Sequence, residues 1–203
     1  MAAASKSSYE NIRKKLRTGD LVLFSGKGRI SNGIKWITSS EWSHVGMVVI
    51  MEEWDQVVLW ESTTLSDLED IESGKATKGV QSVFLSERLR TYDGKAAVRQ
   101  LDVDRTPKMI GDLKKFRQSV RGRPYEKSKI ELFRSAYDGP FGGNSEDLSS
   151  LFCSELVAEA YQEMGLLDPK IPSNEYTPAD FSAKRQRGLK LLKGSLGPEI
   201  FIS

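Results

Sequence analysis

The sequence predicts a mixed fold of strands and helices, and three observations carry that prediction. Two runs rich in β-branched residues, His44 to Met51 and Gln56 to Thr63, flank the polar stretch Glu52-Glu53-Trp54-Asp55, which is the pattern of a β-hairpin. Downstream, Met109, Ile110, Leu113, Phe116 and Val120 recur at the spacing of one helix face. The chain has 203 residues, 38% of them apolar and 9% aromatic, enough for one domain with a sizeable core.

Taken in order, Tyr9 to Arg17 places Ile12 and Leu16 four apart among charges, the spacing of a short surface helix. Residues 1–17 thus read as an N-terminal helical extension. Leu21 to Phe24 is an apolar run bounded by glycines, a buried strand. Ser25-Gly26-Lys27-Gly28-Arg29 lacks the Gly-Lys-Ser/Thr ending of a phosphate loop. Ile30, Ile34 and Ile37 fit one face of a short helix. In the hairpin, a turn centred on 52–55 makes paired residue numbers sum to about 107, so His44 faces Thr63 and Gly46 faces Glu61. Side chains alternate along a strand, so His44 and Glu61 share a face as diagonal neighbours, with Gly46 leaving space beside them.

Residues 65–79 are polar and glycine-containing and read as an exposed loop. Val80 to Leu85 and Ala96 to Leu101 read as strands, with a helical turn at Ser86 to Arg90 between them. Thr106 to Val120 reads as a helix with Pro107 in its first turn. Gly122-Arg123-Pro124-Tyr125 ends it and opens an irregular stretch to about Ser150. The next helix runs from about Ser150 to Met164, with Gly165 as its stop. A proline-marked loop, a short helix at Ala179-Asp180-Phe181 and one or two extended pieces close the chain.

Composition narrows the function classes. The 30 basic and 28 acidic side chains nearly cancel to a formal charge of +2, so no global field calls for nucleic acid. One cysteine, Cys153, excludes an internal disulfide, and one histidine, His44, leaves no histidine cluster for a metal. No metal and no cofactor is expected. With no signal-peptide core and no apolar run near the roughly 20 residues that span a bilayer, the chain reads as soluble and cytoplasmic.

The chemistry gathers around Phe152-Cys153-Ser154-Glu155-Leu156 and Trp42-Ser43-His44-Val45-Gly46. A lone cysteine is most often a small buried hydrophobe, and a lone histidine in a strand is most often a satisfied core residue. At a helix N-terminus, however, unpaired amides and the macrodipole stabilise a thiolate. An imidazole facing it would complete the ion pair used in acyl transfer, and Glu61 on the face of His44 would orient the ring.

These two segments are similar to the permuted papain-like amidases of the NlpC-like superfamily, in the YiiX/YaeF-like branch. Further matches are Gly19-Asp20-Leu21-Val22-Leu23-Phe24, Gly122-Arg123-Pro124-Tyr125 and Thr177-Pro178-Ala179-Asp180-Phe181, in the order in which histidine precedes cysteine. The resemblance reaches from about residue 18 to residue 182. It implies an α+β permuted papain-like fold, a small antiparallel, partly barrel-like sheet packed against a cysteine-bearing helix, in a single domain over residues 1–203. It also implies Cys153 as nucleophile, His44 as base and Glu61 as the residue orienting the imidazole.

Tyr125, Trp42, Ser43 and Ser154 are candidates to line the substrate pocket or assist the oxyanion, which would form at the backbone amide of Cys153. The function expected is a cysteine hydrolase that cleaves a peptide or N-acyl amide bond through a thioester. A thiol acyltransferase or lipid-directed hydrolase is the alternative, and a catalytically silent binding module is a third reading. Partners are accordingly a peptide, N-acyl amide or lipid, with a weak contact to a membrane or other anionic surface through Lys184, Arg185, Arg187 and Lys190.

Overall fold

A computed structural model describes residues 5–27, 40–124, 149–184 and 189–202. The helix expected over Ile30 to Ile37, the irregular stretch after Tyr125, and the side chains of Tyr125, Arg185 and Arg187 lie outside the described residues.

The frame is a sheet in the order β1-β9-β6-β2-β3-β4-β5. Its strands are β1 (Ser5–Ser7), β2 (Leu21–Gly26), β3 (His44–Met51), β4 (Gln56–Thr63), β5 (Gly79–Phe84), β6 (Gly94–Arg99) and β9 (Ile200–Ile202). Six of the seven form consecutive antiparallel pairs, and β1 adds to β9 in parallel. The strands expected to curl into a partly barrel-like shape form an open sheet, ending at β1 on one side and β5 on the other. A separate two-stranded ladder joins β7 (Leu101–Asp102) to β8 (Ser195–Leu196).

The hairpin has the bounds and register its sequence predicts. Met47 pairs with Trp60 and Met51 with Gln56, across a 3-10 turn at Glu52–Trp54 that closes on Asp55 in the left-handed region at φ 48°. Aspartate tolerates that conformation better than most residues.

Helices cover both faces of the sheet. Alternate residues of the central strands, Leu21, Leu23, Val45, Met47, Val58 and Trp60, pack with Cys153, Leu156, Val157 and Tyr161. These last four belong to α4 (Ser149–Glu163), and α3 (Pro107–Ser119) adds Met109 and Leu113 to the same cluster. The intervening residues Val22, Phe24, Val48 and Leu59 pack on the other face with Ile12 of α1 (Tyr9–Arg13) and Leu85 of α2 (Leu85–Thr91). Strands buried on both sides explain why β2 and β3 read as continuous apolar runs.

Two of the sequence segments singled out above act as fasteners for α4. The carbonyl of Gly19 accepts a 2.7 Å bond from the hydroxyl of buried Tyr161, and Gly19 itself sits at φ +95° with Leu101 and Met164 against it. Asp20, also buried, accepts from the amides of Arg17 and Leu101 and from Arg105 Nη2 at 2.7–2.9 Å. In the second segment Thr177–Asp180 forms a capping box, and Phe181 meets the same Tyr161 edge-on at 6.4 Å.

The loop between β4 and β5, expected to be exposed, is pinned at Asp70, which is buried and accepts from the amides of Ser73 and Ser82. Among the described residues, no helix is long and apolar enough to cross a membrane.

Candidate active site

His44 is the first residue of β3, paired with Phe24 of β2. Strand alternation sets it on the face that carries Val48, Leu59 and Glu61, opposite to the face that buries α4. Its position at the strand's end lets the imidazole meet the α4 side all the same: His44 shares a side-chain hydrogen bond with Cys153. The other interaction uses Nε2, which lies 2.6 Å from Glu61 Oε2, so Nδ1 is the nitrogen left for the sulfur. Phe24 lies against the imidazole, ring centroids 5.7 Å apart.

Gly46 opens the space for this arrangement. A Cβ there would stand 2.7 Å from Leu59 Cδ1 and 3.3 Å from Glu61 Cβ, so a side chain would collide with the strand that presents the carboxylate.

Glu61 is fully buried, and both of its oxygens are occupied. Oε2 faces His44, while Oε1 accepts from Arg88 Nη2 at 2.8 Å, Arg88 Nε at 3.1 Å and Gln81 Nε2 at 3.1 Å. Gln81 is the cross-strand partner of Glu61. Arg88, on α2, is 1% exposed, and its Nη1 turns outward to both oxygens of Asp67 at 2.8 and 3.0 Å.

The charges follow from these contacts. Burial works against a charged carboxyl at Glu61, but the Arg88 guanidinium, with His44 and Gln81, outweighs it and holds Glu61 down to about 2. Burial likewise opposes a charged imidazole, yet the bonds and charges of Cys153 and Glu61 push His44 up to about 10. Tyr92, whose ring lies 4.8 Å from Phe24, hydrogen-bonds Ser43 and is pushed up to about 12, chiefly by burial. It is a neutral phenol at working pH.

The structure gives the remaining candidates internal partners. Ser43 donates to the carbonyl of Phe24 and accepts from the amide of Gly26, both at 3.3 Å. Ser154 donates to the carbonyl of Tyr176 at 2.6 Å. Trp42 is 1% exposed, with its indole N–H 2.9 Å from Glu199 and its ring tilted on Phe201. Lys184 pairs with Glu41 at 3.0 Å, and Lys190 is exposed.

One expectation needs correcting. Because α4 begins at Ser149, Cys153 is its fifth residue, past the N-terminal N–H groups that lack an intrahelical acceptor. Its amide thus lies one turn inside the helix and not at the helix-end position that the sequence suggested.

Arg88 and Gln81 were missed by sequence reasoning, though each left a signal. Gln81 interrupts the apolar strand Val80-Gln81-Ser82-Val83-Phe84. Arg88 shares a helix face with Leu85 and Leu89, the residues that anchor α2 to the sheet.

Residues 15–178 match the model of a family described as permuted papain-like amidase enzymes, the YaeF/YiiX, C92 family. No curated protein matches the chain. Among solved structures, the crystal structure of the metalloprotein yiiX from Escherichia coli O157:H7 is similar, with a TM-score of 0.50 over 92% of this chain and 96% of that one. At 17% identity the likeness is one of fold. That protein is described as a metalloprotein; in this chain, no group of three or more His, Cys, Asp or Glu gathers as a metal site among the described residues. The donors of the site do not fit a resident metal either, since both nitrogens of His44 and both oxygens of Glu61 are committed to the contacts above.

Proposed function

The chain belongs to the permuted papain-like amidases of the YaeF/YiiX, C92 family, and on that premise we propose that it is a cysteine hydrolase cleaving a peptide or N-acyl amide bond through a Cys153-His44-Glu61 triad. The observation that carries the proposal is the single imidazole of the chain held between the single thiol and a buried carboxylate, with Glu61 2.6 Å from the ring. Burial is an ordinary state for a structural cysteine. A histidine bonded to that cysteine and backed by a carboxylate is the arrangement of nucleophile, base and orienter.

The steps follow from the charges. The Cys153 sulfur attacks the amide carbonyl carbon and an oxyanion develops on the carbonyl oxygen. His44, protonated at neutral pH, delivers its Nδ1 proton to the leaving nitrogen as the C–N bond breaks, leaving a thioester on Cys153. Water then adds to the thioester with His44 taking its proton, the C–S bond breaks, the acid departs and the ion pair is restored. Glu61 takes no proton in either half; it fixes the ring so that Nδ1 faces the sulfur. Hydrolysis and not transfer is the reading favoured, because Trp42, a candidate to line the pocket, is buried with its indole N–H on Glu199 and offers no apolar surface to a lipid.

The test is to incubate the protein with N-acyl aminocoumarin amides of varied acyl groups, following fluorescence and the intact mass after acid quench. Amide cleavage with an acyl-sized mass increase confined to Cys153, both abolished in Cys153→Ala, is the expected result. A Cys153→Ala protein that still turns over would rule the mechanism out.

A further inference from the structure

We propose that Arg88 is a positioning residue of this reaction: it holds Glu61 as a carboxylate inside the core throughout the cycle, so that the imidazole stays fixed against Cys153. The inference rests on the triad reading above and extends it to a residue on a separate element, α2.

A carboxylate with no exposure is costly unless it is paired, and an unpaired one takes up a proton instead. His44 cannot serve as its lasting counter-charge. In the proposed cycle the imidazolium gives up a proton to the leaving group, and at that moment the His44–Glu61 pair loses its positive member. A guanidinium keeps its charge under all working conditions, so Arg88 covers the interval in which His44 is neutral. It also keeps the Nε2 proton on the ring and off the carboxylate.

The geometry suits that task. Arg88 places Nε and Nη2 on the Glu61 oxygen that His44 does not use, and anchors Nη1 on Asp67. The guanidinium is thus gripped from both ends, one in the core and one at the surface, where the Asp67 side chain is 40% exposed.

Among the described residues, the groups bonded to Glu61 are His44 from β3, Gln81 from β5 and Arg88 from α2, and of these Arg88 carries the permanent charge. Tyr92, following α2, is a neutral phenol that also feels Glu61 and Cys153. Cys153 on α4 contacts His44, and Asp67 in the β4–β5 loop contacts Arg88.

The experiment measures the rate of Cys153 alkylation by iodoacetamide against pH, with thermal unfolding in parallel, in wild type, His44→Ala, Arg88→Met, Arg88→Lys and the double variant Glu61→Gln/Arg88→Met. The one cysteine makes the label unambiguous. Wild type reacts readily near pH 6, and His44→Ala does not. Arg88→Met moves the acid limb of the profile upward by about one unit or more, at least about tenfold slower labelling at that pH, and Arg88→Lys falls between. The double variant regains thermal stability relative to Arg88→Met, because the buried charge is gone, but not the reactivity.

A folded Arg88→Met protein with the wild-type profile, merely melting lower, overturns the assignment and leaves Arg88 a structural residue. If Arg88→Met does not fold, the double variant decides: a wild-type acid limb in it overturns the proposal. Should wild type itself label only as an ordinary thiol, with His44→Ala no different, the triad falls and this inference with it.

Discussion

Replacing Glu61 by glutamine perturbs the site where its geometry is tightest. Glutamine keeps the shape but has only one oxygen to accept with, while the wild-type carboxylate accepts on both sides, from His44 Nε2 at 2.6 Å and from Arg88 and Gln81 at 2.8–3.1 Å. If the amide oxygen turns to Arg88, the NH2 confronts Nε2 and disfavours its protonated form. If it turns to His44, the NH2 confronts the guanidinium. Either way one member of a buried ionic pair loses its partner, which costs about 3–5 kcal/mol, or a melting temperature lower by about 6–20 °C for a domain of this size.

The pH dependence supplies the sign. His44 is held up to about 10 from 6.5, so its contribution to stability is complete below pH 6.5 and is lost as pH rises through 10. Glu61 is held down to about 2 from 4.5, so its contribution is complete above pH 4.5 and is lost as pH falls toward 2. Between these limits the wild-type protein keeps both contributions. Glu61→Gln removes the acid limb due to this carboxylate and shortens the alkaline one, because His44 has lost an anion. The assays are unfolding temperature against pH in both proteins, taken as a difference, and the imidazole chemical shifts, which need no assignment in a chain with one histidine. An imidazole titrating near its ordinary value in wild type and variant alike would refute the reasoning.

Gly46→Ala forces a methyl to within 2.7 Å of Leu59 and 3.3 Å of the Glu61 Cβ; we expect a loss of about 1–3 kcal/mol from overpacking, read by denaturant titration, together with slower Cys153 labelling near pH 6. Asp20→Asn leaves one of the amides of Arg17 and Leu101, or Arg105, facing an NH2 in a buried site; melting should fall by an amount comparable with Glu61→Gln, while the shape of the Cys153 labelling profile stays that of wild type.

The hairpin was legible because its information is local. Two β-branched runs of equal length about a four-residue polar turn fix the register, and the register fixes which side chains share a face. His44 and Glu61 follow from that without any tertiary knowledge. Leu85, Arg88 and Leu89 show the opposite case. Arg88 lies in the charged segment Ser86-Glu87-Arg88-Leu89-Arg90, which reads as a solvated helical turn, and it becomes a buried counter-charge only because α2 lies across β4 and β5. The face shared with Leu85 and Leu89 points Arg88 inward, but which strand it meets is not encoded locally. Ser43 and Ser154 illustrate a third limit: proximity in sequence to a reactive group says nothing about where a hydroxyl bonds, and both are spent on carbonyls.

The position of Cys153 also changes the physical account of the site. The sequence suggested that a helix terminus would stabilise charge at the sulfur, an effect that fades beyond the first turn. In the structure Cys153 is the fifth residue of α4, and the charged group in contact with it is the imidazole of His44. The imidazole is held protonated by Cys153 first and by Glu61 next, and Glu61 is anionic inside the core chiefly because Arg88 lies on its second oxygen. His44, Glu61, Arg88 and Asp67 form a row of alternating charge that runs from Cys153 out to the surface loop. Under the proposed mechanism this row depends most on Glu61, whose side chain has no exposure, and after Cys153 and His44 the chemistry is expected to be most sensitive to a residue that never touches substrate.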